Sequence, residues 1–174
     1  MSSSVKDKSI GIGVIGTGFM GKAHSIAYSA SASVFGMGLR PRLEIVCDLS
    51  PERASQRATD LGFSRYSDNW RDVVEDDQVH LVSVCTPNNT HAEIAIAALA
   101  AGKHVWCEKP MSTTLADSTA MANAAASSAG KTIVGYNYTK NPAVTHARRL
   151  IDDGVIGRVS GLSLIHISEP TRPY

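Results

Sequence analysis

Residues 9–21 read SIGIGVIGTGFMG, and this stretch decides the fold class. An apolar run from Ser9 to Ile15 ends at Gly16, and helix-forming residues follow from Phe19 to Ala30. Apolar residues before a glycine cluster and a helical pattern after it predict a strand, a tight turn and a helix. The chain is therefore predicted to open with a β-α unit.

The three glycines of this turn, Gly16, Gly18 and Gly21, form the pattern G-x-G-x-x-G. Between a strand and a helix, such glycines allow a tight turn, a close approach of backbone to a pyrophosphate, and close packing of the helix on the strand. The free N–H groups of the helix N-terminus also favour phosphate. A glycine-rich turn that binds nothing is the alternative, and the strand-to-helix context favours the phosphate site.

The rest of the chain alternates strands and helices. We predict strands at 43–47, 63–66, 79–85, 103–107, 132–136 and 159–167. Helices are predicted at 51–61, around Trp70, and at 90–101, 113–129 and 142–152, and a loop at 31–42. The strand at 79–85 is apolar on both faces, which is typical of a parallel sheet that is covered on each side. Right-handed crossovers then predict an α/β fold with a Rossmann-like doubly wound parallel sheet.

An acidic residue, Asp48, directly follows the second predicted strand. At that position a carboxylate can accept hydrogen bonds from the ribose hydroxyls of a dinucleotide and would repel a 2′-phosphate, so NAD is favoured over NADP. Asp48 lies farther from Gly16 than the usual ~20 residues, and we attribute the excess to the loop at 31–42. The alternative is that Asp48 caps the helix that begins after Ser50.

Composition excludes several classes of protein. A chain of 174 residues has room for one domain, and a second would need about another 100 residues. Lys and Arg total 17 against 16 Asp and Glu, so no basic face for nucleic acid is implied. No apolar run approaches the ~18 residues of a membrane span. Three separated cysteines without a Cys-x-x-Cys pair indicate reduced thiols in a cytoplasmic protein, and we predict no metal site.

Two further motifs leave the carboxyl ends of predicted strands, CTPNNTH at 85–91 and CEKP at 107–110. Ligands of open α/β sheets bind at that edge. Together with the glycine turn, these motifs resemble the Gfo/Idh/MocA oxidoreductases over about residues 10–161. The resemblance implies an NAD(P)-dependent dehydrogenase of two domains, in which the NAD-binding domain comes first.

The resemblance also implies which residues would contact the cofactor, from the pyrophosphate through the adenosine ribose to the nicotinamide half: Gly16, Gly18, Phe19, Met20, Gly21, Asp48, Thr86, Asn88, His91, Glu108, Lys109 and Asn137. The implied reaction is hydride transfer between NAD and a hydroxyl-bearing carbon of a sugar, polyol or cyclitol. Lys109 is the catalytic residue that the resemblance implies, because an ammonium there would stabilise negative charge developing on the substrate oxygen. The alternatives are a solvated surface lysine for Lys109 and an exposed position for His91.

The C-terminal part departs from the family pattern. The family often has an arginine shortly after the segment Gly135 to Tyr138, where this chain has Thr139 and Lys140, and no Asp-x-x-x-His motif follows Gly161. The general acid/base is therefore expected to lie outside this chain. Residues 162–172 read LSLIHISEPTR, which resembles a translated sequencing-library adapter, and a genuine first strand of a second domain is the alternative.

We thus predict an NAD-binding domain at 1–140, the truncated start of a substrate domain at 141–161 and a non-native tail at 162–174. Such a chain is expected to bind NAD without turning over substrate, and to form a homo-oligomer only with the missing domain. The alternative function is a stand-alone, non-catalytic NAD-binding or sensor module. A methyltransferase could also combine a glycine turn with a strand-end acid, but the later motifs fit it less well.

Overall fold

A computed structural model describes residues 8–36 and 38–161. Its strands form one parallel sheet in the order β3-β2-β1-β4-β5-β6: β1 (Lys8–Ile15), β2 (Leu39–Cys47), β3 (Arg65–Ser67), β4 (Leu81–Val84), β5 (His104–Cys107) and β6 (Thr132–Val134). The order reverses between β1 and β4, and ligands of open α/β sheets bind at such a switch point. The predicted Rossmann-like doubly wound fold is confirmed.

Helices connect these strands and follow the last one: α1 (Phe19–Phe35), α2 (Pro51–Leu61), α3 (Trp70–Glu75), α4 (His91–Ala100), α5 (Leu115–Ser127) and α6 (Pro142–Asp152). The predicted limits of α2 are confirmed, since the Ser50 hydroxyl accepts from the Arg53 amide at 3.3 Å and Gly62 ends the helix at φ 79°. Within the described ranges, no helix is both long and apolar enough to cross a membrane.

Two apolar clusters cover the two faces of the sheet, as expected for strands buried on both sides. The smaller cluster contains Ile12, Val14, Val46, Ala58 and Phe63. The larger one joins β1, β2, β4 and β5 to α3, α4 and α5, with Ile15, Val73, Val82, Val84, Ile94, Ala98, Leu99, Val105 and Met121 among its members. These clusters hold the carboxyl ends of the strands in fixed relative positions, and the predicted motifs begin there.

The predicted loop at 31–42 is wrong at both ends. Helix α1 continues to Phe35 because small residues do not interrupt it, and Gly36 ends it in the left-handed conformation at φ 58°. Strand β2 begins at Leu39 and includes Pro41, which pairs with Ile10 in the half-exposed outer part of the strand. The long separation between Gly16 and Asp48 in the sequence is therefore due to a helix of 17 residues, α1, and a strand of 9 residues, β2.

The chain divides into two compact units, Met1–Gly135 and Tyr136–Tyr174. The described part of the second unit, 136–161, contains a 3₁₀ turn and helix α6, which begins as predicted: the Asn141 side chain accepts from the Ala143 amide at 2.9 Å. The strand expected at 159–167 is absent from 159–161. Its remainder and the tail at 162–174 lie outside the described residues, and the predicted domain limits stay predictions.

Candidate cofactor-binding site

The glycine turn after β1 is crowded at two positions and open at the third. Gly16 has φ 93°, and a Cβ there would lie 2.5 Å from the Cys85 carbonyl oxygen. A Cβ on Gly21 would lie 1.9 Å from the Gly16 carbonyl oxygen, whereas nothing lies within 4 Å of one on Gly18. Backbone contacts therefore exclude side chains at Gly16 and Gly21, and Gly18 leaves the space in front of α1 free.

The N-terminus of α1 is suited to a phosphate group. Gly18 supplies no side-chain cap, and the first turn contains no acidic residue. Phe19 is 82% exposed and Met20 is half-buried. By contrast, α2 begins with a serine cap and Glu52 in its first turn. The uncapped N–H groups can thus donate hydrogen bonds to a pyrophosphate, and the positive end of the α1 dipole favours its negative charge. The predicted glycine-turn residues therefore fit a pyrophosphate.

Asp48 lies at the carboxyl end of β2 and is hydrogen-bonded to the glycine turn. Its Oδ2 accepts from the Thr17 amide at 3.3 Å and from the Thr17 hydroxyl. Its Oδ1 lies 3.5 Å from the Ser50 amide and 3.4 Å from the Arg53 guanidinium. The contact with the Ser50 amide is the helix cap that was the alternative for Asp48. The bonds from Thr17 join the carboxylate to the glycine turn.

Asp48 makes the stability of the domain sensitive to acid. Burial opposes ionisation of the carboxyl, but bonds from Thr17 and Ser50 and the charge of Arg53 outweigh burial and hold the Asp48 pKa below its ordinary value. A lowered folded-state pKa stabilises the fold above the unfolded pKa of about 4, and this stabilisation is lost as pH falls through the lower folded value. We expect Asp48→Asn to flatten the decline of the urea midpoint below pH 4. An identical decline in both proteins would contradict this.

The turn after β4 begins with Cys85, whose amide donates to the Ile15 carbonyl at 2.8 Å. In this turn the Thr86 hydroxyl accepts from the Thr90 hydroxyl at 2.7 Å. Asn88 is exposed and starts the 3₁₀ turn Asn88–Thr90 that leads into α4. The Thr-Pro-Asn segment is thereby fixed at the edge of the sheet where the glycine turn lies.

His91 is buried, with 1% of its surface exposed. Its Nε2 lies 2.9 Å from the Thr86 carbonyl oxygen, and its Nδ1 lies 2.9 Å from the Pro110 carbonyl oxygen. The exposed alternative for His91 is therefore wrong, because the ring fills the space between two turns. Contact of His91 with a cofactor stays a prediction, and the observed contacts of its nitrogens are to backbone.

The turn after β5 contains a buried acidic residue, Glu108, and an exposed basic residue, Lys109. Glu108 is 6% exposed, its Oε1 lies 3.0 Å from Nε2 of His24, and its Oε2 accepts from the Lys109 amide at 3.3 Å. Lys109 is exposed and precedes a cis peptide bond to Pro110. The carboxylate is thus held in place, whereas the Lys109 ammonium faces solvent.

Three residues of this region were not among the predicted site residues: His24, Tyr28 and Ser83. His24 and Tyr28 are separated by four positions in α1, so they share a helix face, and Ser83 is a polar residue within an apolar strand. A buried polar residue needs a partner. The isolated serine of β4 was therefore the signal that could have indicated a hydrogen-bonded group at this place.

The structure brings most of the predicted residues to one edge of the first unit. The glycine turn, Asp48, the Thr-Pro-Asn turn and Glu108 follow β1, β2, β4 and β5 at their carboxyl ends. Asn137 belongs to the second unit, where it is exposed and its side-chain oxygen accepts from the Tyr138 amide at 3.0 Å. A place for Asn137 beside the cofactor stays a prediction.

A parallel sheet in this strand order, a G-x-G-x-x-G turn after β1 and an acid at the end of β2 define a dinucleotide-binding domain. Residues 10–136 match the Gfo/Idh/MocA oxidoreductase family, described as having an NAD-binding Rossmann fold, and the chain belongs to this family. The resemblance predicted from the three motifs is confirmed, and so is NAD as the cofactor that characterises the family.

Similar proteins include several dehydrogenases. The chain is 41% identical over 153 residues to levoglucosan dehydrogenase of Pseudarthrobacter phenanthrenivorans, with 87% of the chain and 39% of the relative covered. It is 32% identical over 165 residues to inositol 2-dehydrogenase of Gluconacetobacter diazotrophicus, with 94% and 48% covered. The chain thus spans less than half the length of these relatives.

Solved structures resemble the fold closely. A levoglucosan dehydrogenase in complex with NADH and levoglucosan superposes with a TM-score of 0.82 at 41% identity, covering 87% of this chain and 41% of that one. An oxidoreductase domain protein from Kribbella flavida superposes with a TM-score of 0.81 at 47% identity, covering 86% and 41%. Both likenesses extend over the greater part of this chain.

Proposed function

We propose that this chain is the NAD-binding part of a dehydrogenase that transfers a hydride between NAD and a hydroxyl-bearing carbon of a sugar, polyol or cyclitol. The observation that carries the proposal is the bonding of Asp48 to Thr17, which joins a ribose-binding acid to a phosphate-binding turn. Two similar proteins, a levoglucosan dehydrogenase and an inositol 2-dehydrogenase, support this class of substrate.

In this proposal the adenosine and pyrophosphate half of NAD lies across the glycine turn. The N–H groups at the start of α1 bind the pyrophosphate, with Phe19 and Met20 beside it. Asp48 accepts hydrogen bonds from the adenosine ribose hydroxyls, since each carboxylate oxygen can accept more than one bond. Its negative charge also disfavours a 2′-phosphate, which favours NAD over NADP.

The nicotinamide half then extends along the turns that follow β4 and β5. Thr86 and Asn88 border the nicotinamide, and the Glu108 carboxylate accepts from its ribose. His91 contributes indirectly, because its ring nitrogens face carbonyls of both turns. When bound, the nicotinamide supplies the acceptor or donor of the hydride.

Lys109 orients the substrate hydroxyl in this proposal. As the hydride leaves the carbon, the hydroxyl loses its proton, and negative charge develops on the oxygen. An exposed ammonium at the sheet edge can hydrogen-bond that oxygen and stabilise the charge. The group that takes the proton is proposed to belong to a longer protein, because the chain spans less than half the length of the relatives named above.

We also propose that residues 1–140 form the cofactor domain, that 141–161 begin the substrate domain, and that 162–174 are foreign to the protein. Asn137 is proposed to contact the cofactor or the substrate. A cytoplasmic location is consistent with three cysteines that form no disulfide, Cys47, Cys85 and Cys107. Homo-oligomers are proposed only for the longer protein.

NADH titration of the 174-residue chain, followed by nicotinamide fluorescence, tests the proposed function. We expect saturable binding that is tighter than NADPH binding, and a loss of about tenfold or more in Asp48→Ala, the size expected for a bond to a charged group. Asp77→Asn removes one negative charge at an exposed turn and serves as the matched control. Absent saturation, or equal affinity in Asp48→Ala, would overturn the proposal.

A further inference from the structure

Behind the Glu108 carboxylate lies a chain of three hydrogen-bonded side chains. Nε2 of His24 is 3.0 Å from Glu108 Oε1, and Nδ1 of the same ring is 3.2 Å from the Ser83 hydroxyl. The Tyr28 hydroxyl lies 2.7 Å from the Ser83 hydroxyl. His24, Ser83 and Glu108 are each at most 7% exposed. Helix α1 is thereby linked directly to the turn after β5 through His24, and to β4 through Ser83.

The hydrogen bonds of this network can all run in one direction, each group donating to the next from Tyr28 to Glu108, with an uncharged imidazole. Burial raises the pKa of Tyr28 to about 12, so its hydroxyl keeps its proton and can donate to Ser83. Ser83 then donates to Nδ1 of His24, which leaves the proton of the neutral ring on Nε2. An ionised carboxylate can only accept, and Nε2–H is the donor that Glu108 Oε1 requires.

Packing holds both ends of this bond in place. The Trp106 ring lies 4.8 Å from the His24 ring, centroid to centroid, in an edge-on arrangement. On the other side, a Cβ on Gly135 would lie 2.4 Å from Glu108 Oε1. The second carboxylate oxygen accepts from the Lys109 amide. The carboxylate therefore has little freedom to rotate while His24 donates to it.

We propose that His24 is a positioning residue that holds the Glu108 carboxylate in the orientation in which it receives the nicotinamide ribose. This inference rests on the proposed function, because it requires NAD along this edge. Without the donor, Oε1 of the buried carboxylate lacks a partner, although Oε2 still accepts from the Lys109 amide, and the group either turns towards solvent or takes up a proton. Either change removes the ribose acceptor while the phosphate-binding turn stays intact.

Four variants form the experiment: His24→Leu, His24→Gln, Glu108→Gln and the double variant His24→Leu with Glu108→Gln. The glutamine amide can donate from a place close to that of Nε2, whereas leucine fills space without donating. We expect His24→Leu to weaken NADH binding by about tenfold and His24→Gln by about threefold or less. In the Glu108→Gln background, His24→Leu should cause less than about a twofold further loss.

ADP provides the matched control ligand, since it contains the adenosine and pyrophosphate half alone. We expect ADP affinity, measured by calorimetry, to be equal in all four variants and in the unsubstituted chain. A merely structural role of His24 in α1 would lower ADP affinity as well and would persist in the double variant, and either result overturns the inference. If His24→Leu does not fold, His24→Asn replaces it, because its shorter amide does not reach the Nε2 position.

The two levels of the proposal fail in different ways. If the unsubstituted chain binds neither NADH nor ADP, the proposed function is wrong. If it binds both and His24→Leu leaves NADH affinity unchanged, only the positioning role is wrong. A tryptophan-to-NADH energy-transfer signal in a Trp70→Phe background, where Trp106 is the remaining tryptophan, gives a second readout beside His24.

Discussion

Gly21→Ala is expected to lower the free energy of unfolding by about 3 kcal/mol. The added Cβ would lie 1.9 Å from the Gly16 carbonyl oxygen and 3.0 Å from its carbonyl carbon. Both are backbone atoms, so no side-chain rotation can relieve the contact. Gly16 cannot easily move in response, because it is itself at φ 93° and close to the Cys85 carbonyl. Helix α1 would have to move away from β1, which would also weaken NADH binding.

Urea unfolding followed by circular dichroism measures this effect, and Gly18→Ala is its control. Gly18 has a negative φ and nothing within 4 Å of an added Cβ, so its substitution should cost less than about 1 kcal/mol of stability as a change of helix cap. The same methyl group lies where the pyrophosphate is proposed to bind, and we expect a selective loss of NADH affinity. Equal stability of Gly21→Ala and the unsubstituted chain would contradict the packing argument.

His91→Ala is expected to lower the free energy of unfolding by about 3 kcal/mol. The ring is buried between two turns, and its removal leaves a cavity and takes the ring N–H away from the Thr86 and Pro110 carbonyl oxygens that it faces. The two turns are then no longer joined by a side chain. Because both are proposed to border the nicotinamide half, NADH affinity should fall while ADP affinity changes little.

Two further variants separate the volume of the ring from its hydrogen bonds. His91→Phe fills the space without a donor, and His146→Ala removes an exposed imidazole from α6. We expect thermal unfolding to rank His91→Ala as the least stable, His91→Phe as intermediate, and His146→Ala as close to the unsubstituted chain. A His91→Phe variant as stable as the unsubstituted chain would show that the imidazole bonds contribute nothing.

Local signals in the sequence predicted the elements whose ends are set by local chemistry. Helix α2 begins at a serine cap and ends at Gly62, and both events depend on neighbouring residues alone. The loop predicted at 31–42 was wrong because small residues are compatible with either a helix or a loop. The strand conformation of residues 39–42 follows from pairing with β1, a contact that local patterns do not report.

The candidate site shows the same difference between local signals and contacts of residues distant in the sequence. The glycine turn and Asp48 could be predicted because the β-α-β order places a strand-end acid beside a turn. The partners of Glu108 could not be predicted, since His24 lies 84 positions away in sequence. A histidine in a first helical turn is compatible with solvent or with burial, and only the packing of two turns decided this for His91.

By itself, the sequence determined the class of fold, the cofactor edge and the family, because periodicity, caps and glycine turns act over a few residues and the crossover rule orders the strands. Only the tertiary structure decided which polar groups meet inside the domain. Burial makes an unpaired polar group costly, so His24, Ser83 and Glu108 are held together by contacts between elements that are distant in the chain.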